Sequence, residues 1–184
     1  MQYIICGIGG QGILFATKVL GHIALSRGEH VMGSEVHGMS QRGGSVISHF
    51  KIGAYSNPLV RAGEADILLA FEQGEALRNY HFLKEGGCAV VNADQPEQLN
   101  DPDLQQYFNE RRIRLFPIPG YAALRDSMER RFLFLNALML GALCATGAGG
   151  VTAEEVRGAI EELAPERFRS DNLKAFDLGL SVKI

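Results

Sequence analysis

The sequence predicts a layered α/β fold: a mostly parallel sheet flanked by helices, with the last third of the chain helical. Three observations carry that prediction. Short apolar runs at residues 2–6, 66–71 and 88–92 have the length and composition of strands buried on both faces. Amphipathic stretches separate the runs, and strands alternating with helices build parallel units. A glycine cluster, Gly7-Ile8-Gly9-Gly10-Gln11-Gly12, stands where the first strand gives way to the first helix.

The elements follow in order. After Gly12, the residues Ala16, Val19, Leu20 and Ile23 recur at helical spacing, with Lys18, His22 and Ser26 on the opposite side. Gly28 then takes the usual place just past a helix end. Residues 30–36 read as a second strand. Residues 37–44 have no hydrophobic period and read as a loop. Ser45–Ile52 alternates as a strand does, and Asn57-Pro58 marks a turn. A helix is expected over 74–83, a turn at Gly86-Gly87, a helix over 103–112, and a strand over Arg114–Ile118.

Residues 132–145 are apolar on nearly every side, interrupted by Asn136 and Gly141. They fall short of the roughly 20 residues that cross a bilayer. Such a helix is either interior or covered by a partner subunit, and a homodimer of the isolated chain through it is one expectation. Thr152-x-x-Glu155 is a capping box, with Val151 and Val156 placed as a staple and Val156, Ala159, Ile160 and Leu163 as the buried face. Pro165 ends that helix, and a short closing segment starts at Asn172. No linker or repeat divides the chain, so residues 1–184 read as one domain.

Composition narrows the function. Hydrophobic residues make up 46% of the 184 and charged residues 21%, which excludes disorder as the main state. With 18 basic and 21 acidic residues the net charge is −3, giving no electrostatic reason to bind nucleic acid. Cys6, Cys88 and Cys144 are far apart with no Cys-x-x-Cys, against a metal or iron–sulfur site held by this chain, and against a disulfide framework. The opening MQYIIC lacks a basic leader. A cytoplasmic protein without a membrane span is expected.

Two motifs carry chemistry. Gly7-x-Gly9-x-x-Gly12, between a strand and a helix, fits the dinucleotide fingerprint: bare backbone lets a pyrophosphate approach a helix N-terminus. Its plain alternative is a turn that only packs helix on strand. A ribose-binding acid belongs about 20 residues further on. Glu29 and Glu35 straddle that place without deciding it, so NAD or flavin binding stays an alternative. In the second motif, Ser40, Gln41 and Arg42 supply donors beside Gly43 and Gly44. Arg42 offers a planar fork for phosphate or carboxylate, and Met39 an adaptable apolar contact. The alternative is a surface loop with a solvated arginine. His37 is a candidate acid–base group by residue type, but no partner for it is fixed, and no catalytic residue is assigned. Both loops follow strands, which places them at one edge of the sheet.

Taken together, GIGGQG, HGMSQRGGSV, the run from Asn136 through Leu143 and Asn172-Leu-Lys-Ala-Phe resemble the gamma subunit or domain of the 2-oxoacid:ferredoxin oxidoreductases over essentially the whole chain. The Ser40-to-Gly44 run is most similar to the small beta subunit of the indolepyruvate branch. The resemblance implies a Rossmann-like subunit of a complex that oxidatively decarboxylates 2-oxoacids to acyl-CoA and passes electrons to ferredoxin. It places thiamine diphosphate, magnesium and iron–sulfur clusters on partner catalytic subunits, and leaves this chain inactive alone. It leaves coenzyme A for this chain, with Gly7, Gly9, Gly10, Gln11, Gly12, Ser40, Gln41, Arg42, Gly43 and Gly44 as candidate contacts. A pure scaffold and a free-standing NAD or flavin oxidoreductase are the rivals.

Overall fold

The computed structural model describes residues 1–38, 43–129 and 132–183. Strand β1 (Gln2–Ile8) lies inside the sheet, with Tyr3, Ile4, Ile5 and Cys6 fully buried. It runs parallel to β4 (Ala65–Ala70), which is followed outward by β5 (Leu83–Asn92) and β6 (Arg114–Ile118), all parallel. On its other side β1 pairs antiparallel with β3 (Ser45–Ile52), and β3 antiparallel with β2 (Val31–His37). The strand order among the described residues is β2-β3-β1-β4-β5-β6.

The sheet is therefore mixed, and the expected parallel character holds for the block from β1 to β6. The cause is the length of the stretch between β2 and β3. Residues 38–44 are too few for a crossover, which takes a dozen or more residues, so the chain turns back as a hairpin.

Successive β1 side chains enter different cores, as the period of two requires. Tyr3 and Ile5 join the core under α1 (Ile13–Ser26), α4 (Gly120–Ser127), α5 (Leu135–Ala145), α6 (Ala153–Leu163) and α7 (Glu166–Leu180). Ile4 and Cys6 join the core under α2 (Gln73–Asn79) and α3 (Pro102–Glu110). Helix α1 ends as expected. Gly28 is left-handed at φ 73°, its N–H donates to Leu25, and Glu29 N–H donates to Ala24, which satisfies the last carbonyls. The Thr152–Glu155 capping box is formed.

One open reading is resolved and two are corrected. First, α5 is interior: Leu135 through Leu143 are all buried within this chain. Its covering element is α7, at backbone-to-backbone distance. A Cβ on Gly141 would lie 2.2 Å from the Phe176 carbonyl oxygen, and one on Gly179 would lie 1.9 Å from that of Leu138. The apolar faces of α5 are therefore covered inside this chain, whereas Phe132 and Leu133 just before it are exposed. Second, the short closing segment is the 15-residue α7, because Pro165 ends α6 and at once caps the next helix. Third, Gly86 and Gly87 lie inside β5. Gly86 adopts φ 71°, and the β4–β5 register shifts between Ala65 and Ile67, so the pair forms an irregularity in the strand. Among the described residues no helix is long and apolar enough to cross a membrane.

Candidate functional site

The two glycine motifs meet where β1 ends. Ile8 pairs with Ser45 at the start of β3. One residue further, the Gly9 N–H donates to the Gly44 carbonyl at 2.9 Å, and the Gly38 N–H donates to the Ser45 carbonyl at 2.8 Å, closing the hairpin base. Gly10 and Gly12 are left-handed, at φ 103° and 81°. Gly12 caps α1 with no side-chain hydrogen bond, so the helix opens toward the turn with its first N–H groups uncapped by a side chain. A cleft of about 650 Å³ lies here, lined by Gly9, Gly10, Gly12, Ile13, Leu14, His37, Gly38 and Val46. A groove of about 400 Å³ between α1 and β2 shares Leu14 with it.

The candidate residues divide by what surrounds them. An added Cβ on Gly10 or Gly43 would meet no atom of the described residues within 4 Å, so among these residues the two present bare backbone. Gly7 and Gly12 are instead hemmed in by the protein. A Cβ on Gly7 would lie 2.5 Å from Gln11 Oε1, and one on Gly12 would lie 1.9 Å from Asn136 Nδ2. Gln11 is held by protein groups: its Oε1 accepts from Ile8 N–H at 2.7 Å, and its Nε2 donates to the Phe71 carbonyl at 3.1 Å and to Tyr121 Oη at 2.7 Å. Gly44 takes part through its carbonyl. Ser40, Gln41 and Arg42, with Met39, lie outside the described residues.

Several site residues were not singled out from sequence. Glu75 is buried, accepts from Ser45 Oγ at 2.6 Å and pairs with Arg78 at 2.5 Å, which anchors the start of β3. Asn92 donates to the Phe71 carbonyl at 3.1 Å and accepts from Gly120 N–H at 3.0 Å. Asn92 closes a strand run that the sequence did reveal, and a polar residue ending an apolar strand was the available signal. Glu75 and Tyr121 had none, whereas Asn136 stood out as a polar break in an apolar run.

Electrostatics favour inert thiols. Burial pushes the Cys6 thiol far up, with Glu75 and Glu72 adding to it. Burial likewise raises Cys88, and takes Cys144 to about 12. His49 sits in β3 with its Nδ1 accepting from Val60 N–H at 3.1 Å, and burial, then Lys51, lowers its pKa. His37 is exposed, 3.4 Å from a Glu35 carboxylate oxygen. Among the described residues no group of three or more His, Cys, Asp or Glu side chains is placed to hold a metal ion.

From residue 2 to residue 182 the chain matches the family model of pyruvate ferredoxin/flavodoxin oxidoreductase. It belongs to that family. The indolepyruvate oxidoreductase subunit IorB of Pyrococcus horikoshii is 37% identical over 190 residues, spanning 96% of this chain and 93% of its own. The gamma subunit of a keto/oxoacid ferredoxin oxidoreductase from Geobacter sulfurreducens superposes with a TM-score of 0.73 at 28% identity, covering 97% of this chain and 95% of that one. A 2-oxoglutarate:ferredoxin oxidoreductase from Magnetococcus marinus, determined with 2-oxoglutarate, coenzyme A and succinyl-CoA bound, superposes with a TM-score of 0.74 at 19% identity. That likeness is one of fold; it covers 98% of this chain but 30% of that one. The chain is thus a small, gamma-type subunit of a 2-oxoacid:ferredoxin oxidoreductase complex, and the free-standing NAD or flavin enzyme is not favoured.

Proposed function

We propose that this subunit serves a cytoplasmic indolepyruvate-type complex, and that its cleft holds the phosphates of coenzyme A while partner subunits decarboxylate the 2-oxoacid and reduce ferredoxin. The observation that carries the coenzyme A reading is the Gly9–Gly44 hydrogen bond, which pairs the glycine turn with the Arg42-bearing loop beside one cleft. The residues there suit an anion. Gly10 leaves its backbone bare, α1 begins without a side-chain cap, and Arg42 follows from the sequence as the charged member. The same chain suits neither thiamine diphosphate with its metal nor an iron–sulfur cluster. Its thiols are held protonated by burial, and its described carboxylates and histidines form no ligand group. That chemistry is therefore assigned to the partners. The choice of indolepyruvate follows the Pyrococcus horikoshii relative and the Ser40-to-Gly44 run.

The test is Arg42→Ala in the assembled complex. Removing a charge-assisted hydrogen bond to phosphate raises the Michaelis constant for coenzyme A by roughly tenfold to a hundredfold. An unchanged constant would leave the subunit a scaffold. Turnover of indolepyruvate against pyruvate and 2-oxoglutarate by the same complex tests the substrate assignment.

A further inference from the structure

We infer that Tyr121 is a positioning residue for the anion cleft, acting on the glycine turn through Gln11; the inference rests on the coenzyme A reading. The cleft is lined by Gly9, Gly10 and Gly12, and Tyr121 does not line it. The two are joined by hydrogen bonds. Gln11 Oε1 accepts from Ile8 N–H, and Nε2 directs one hydrogen to the Phe71 carbonyl and the other to Tyr121 Oη. Reversing the amide would set donor against donor at Ile8, so the three contacts fix its orientation.

The Phe71 carbonyl also accepts from Asn92, whose Oδ1 accepts from the N–H of Gly120, the residue before Tyr121. Gln11, Phe71, Asn92, Gly120 and Tyr121 thus close a ring across the ends of β1, β4 and β5 and the start of α4. The Tyr121 ring is held edge-on by Phe132, with centroids 5.1 Å apart and planes at 84°. Burial raises its pKa, so the hydroxyl stays protonated near neutrality. The turn it governs contains Gly10, where an added Cβ would meet none of the described residues within 4 Å. Beside the Gly9–Gly44 and Gln11–Ile8 backbone hydrogen bonds, the Gln11 side chain holds its shape, and that side chain is held by its three partners. Nothing in this ring reacts; it sets the directions of the N–H groups that meet the phosphate.

The experiment is steady-state kinetics of the assembled complex with Tyr121→Phe, Gln11→Ala, the double variant and Leu14→Glu. Leu14 is exposed at the cleft mouth in the first turn of α1, where an acid suits the helix but repels a phosphate. Tyr121→Phe keeps the ring and removes one acceptor. It is expected to raise the Michaelis constant for coenzyme A about three- to tenfold, leaving kcat and the constant for the 2-oxoacid unchanged. The double variant is expected to be no worse than Gln11→Ala. If Leu14→Glu raises the coenzyme A constant and Tyr121→Phe does not, the positioning role is wrong and the coenzyme A reading stands. If neither variant moves it, both fall. If Tyr121→Phe lowers kcat and disturbs both constants together, or adds independently to Gln11→Ala, the residue is merely structural and the inference is overturned.

Discussion

The turn at 7–12 and the α5–α7 crossing both depend on glycine, for opposite reasons. At the crossing, Gly141 and Gly179 let two backbones touch: an added Cβ would press on the Phe176 or Leu138 carbonyl oxygen. That space is filled completely. In the turn the use is split. Gly7 and Gly12 make room for Gln11 and Asn136, whereas Gly10 makes room for none of the described residues. A glycine whose missing side chain is replaced by protein marks packing. One whose missing side chain meets none of the described residues, beside a helix start with no side-chain cap, is what the proposed coenzyme A site uses.

Substitutions at these positions sharpen the contrast. The largest loss is expected from Gly179→Ala. Its methyl meets backbone that cannot rotate away, so α7 must lift off α5, and urea unfolding should show about 4 kcal/mol less stability. Gly12→Ala combines φ 81° with a clash against Asn136, and about 3 kcal/mol is expected by the same measurement. Gly10→Ala carries only the strain of φ 103° and should cost about 1 kcal/mol, yet raise the coenzyme A constant of the complex. Equal losses at Gly10 and Gly12 would erase the distinction drawn between them.

The smallest effect lies on the surface between α1 and α6. Arg27 makes two hydrogen bonds to Glu155, at 2.7 and 2.6 Å. Chiefly through Arg27, and through Thr152 of the capping box, the Glu155 carboxyl is held down at about 2 from its ordinary 4.5. A depressed carboxyl stabilises the fold above its unfolded value, and that contribution fades as pH falls from about 4.5 to about 2. The pair is half exposed, so its worth is below about 1 kcal/mol. Arg27→Ala should therefore lose that contribution of less than about 1 kcal/mol at pH 7, lose less of it as pH falls from about 4.5, and match the parent protein near pH 2, as thermal melts across pH would read.

The glycine turn was legible because it is local: a strand, a GxGxxG spacing and an amphipathic helix adjoin in sequence. So were the Gly28 helix end and the Thr152 capping box, whose hydrogen bonds span only a few residues. The meeting of the two motifs at one edge was foreseen from the strands that precede them, and the Gly9–Gly44 bond realises it. The role of Gln11 was not. In sequence it is one residue of a phosphate motif; in the fold its amide reaches Phe71 and Tyr121, 60 and 110 residues away. The fate of residues 132–145 was equally hidden, since an apolar helix looks the same whether its own chain or another covers it.

The sequence by itself determined most of the elements, the helix ends at Gly28 and Thr152, the class of the fold and the family, because period, capping and glycine spacing act over a few residues. Tertiary structure decided what could be known only from distant neighbours. It made β3 antiparallel through a hairpin too short to cross over, and buried α5 under α7. It also separated the glycine left open at the cleft from those already occupied by Gln11 and Asn136. Those outcomes turn on contacts between parts of the chain far apart in sequence, whose geometry no local pattern encodes.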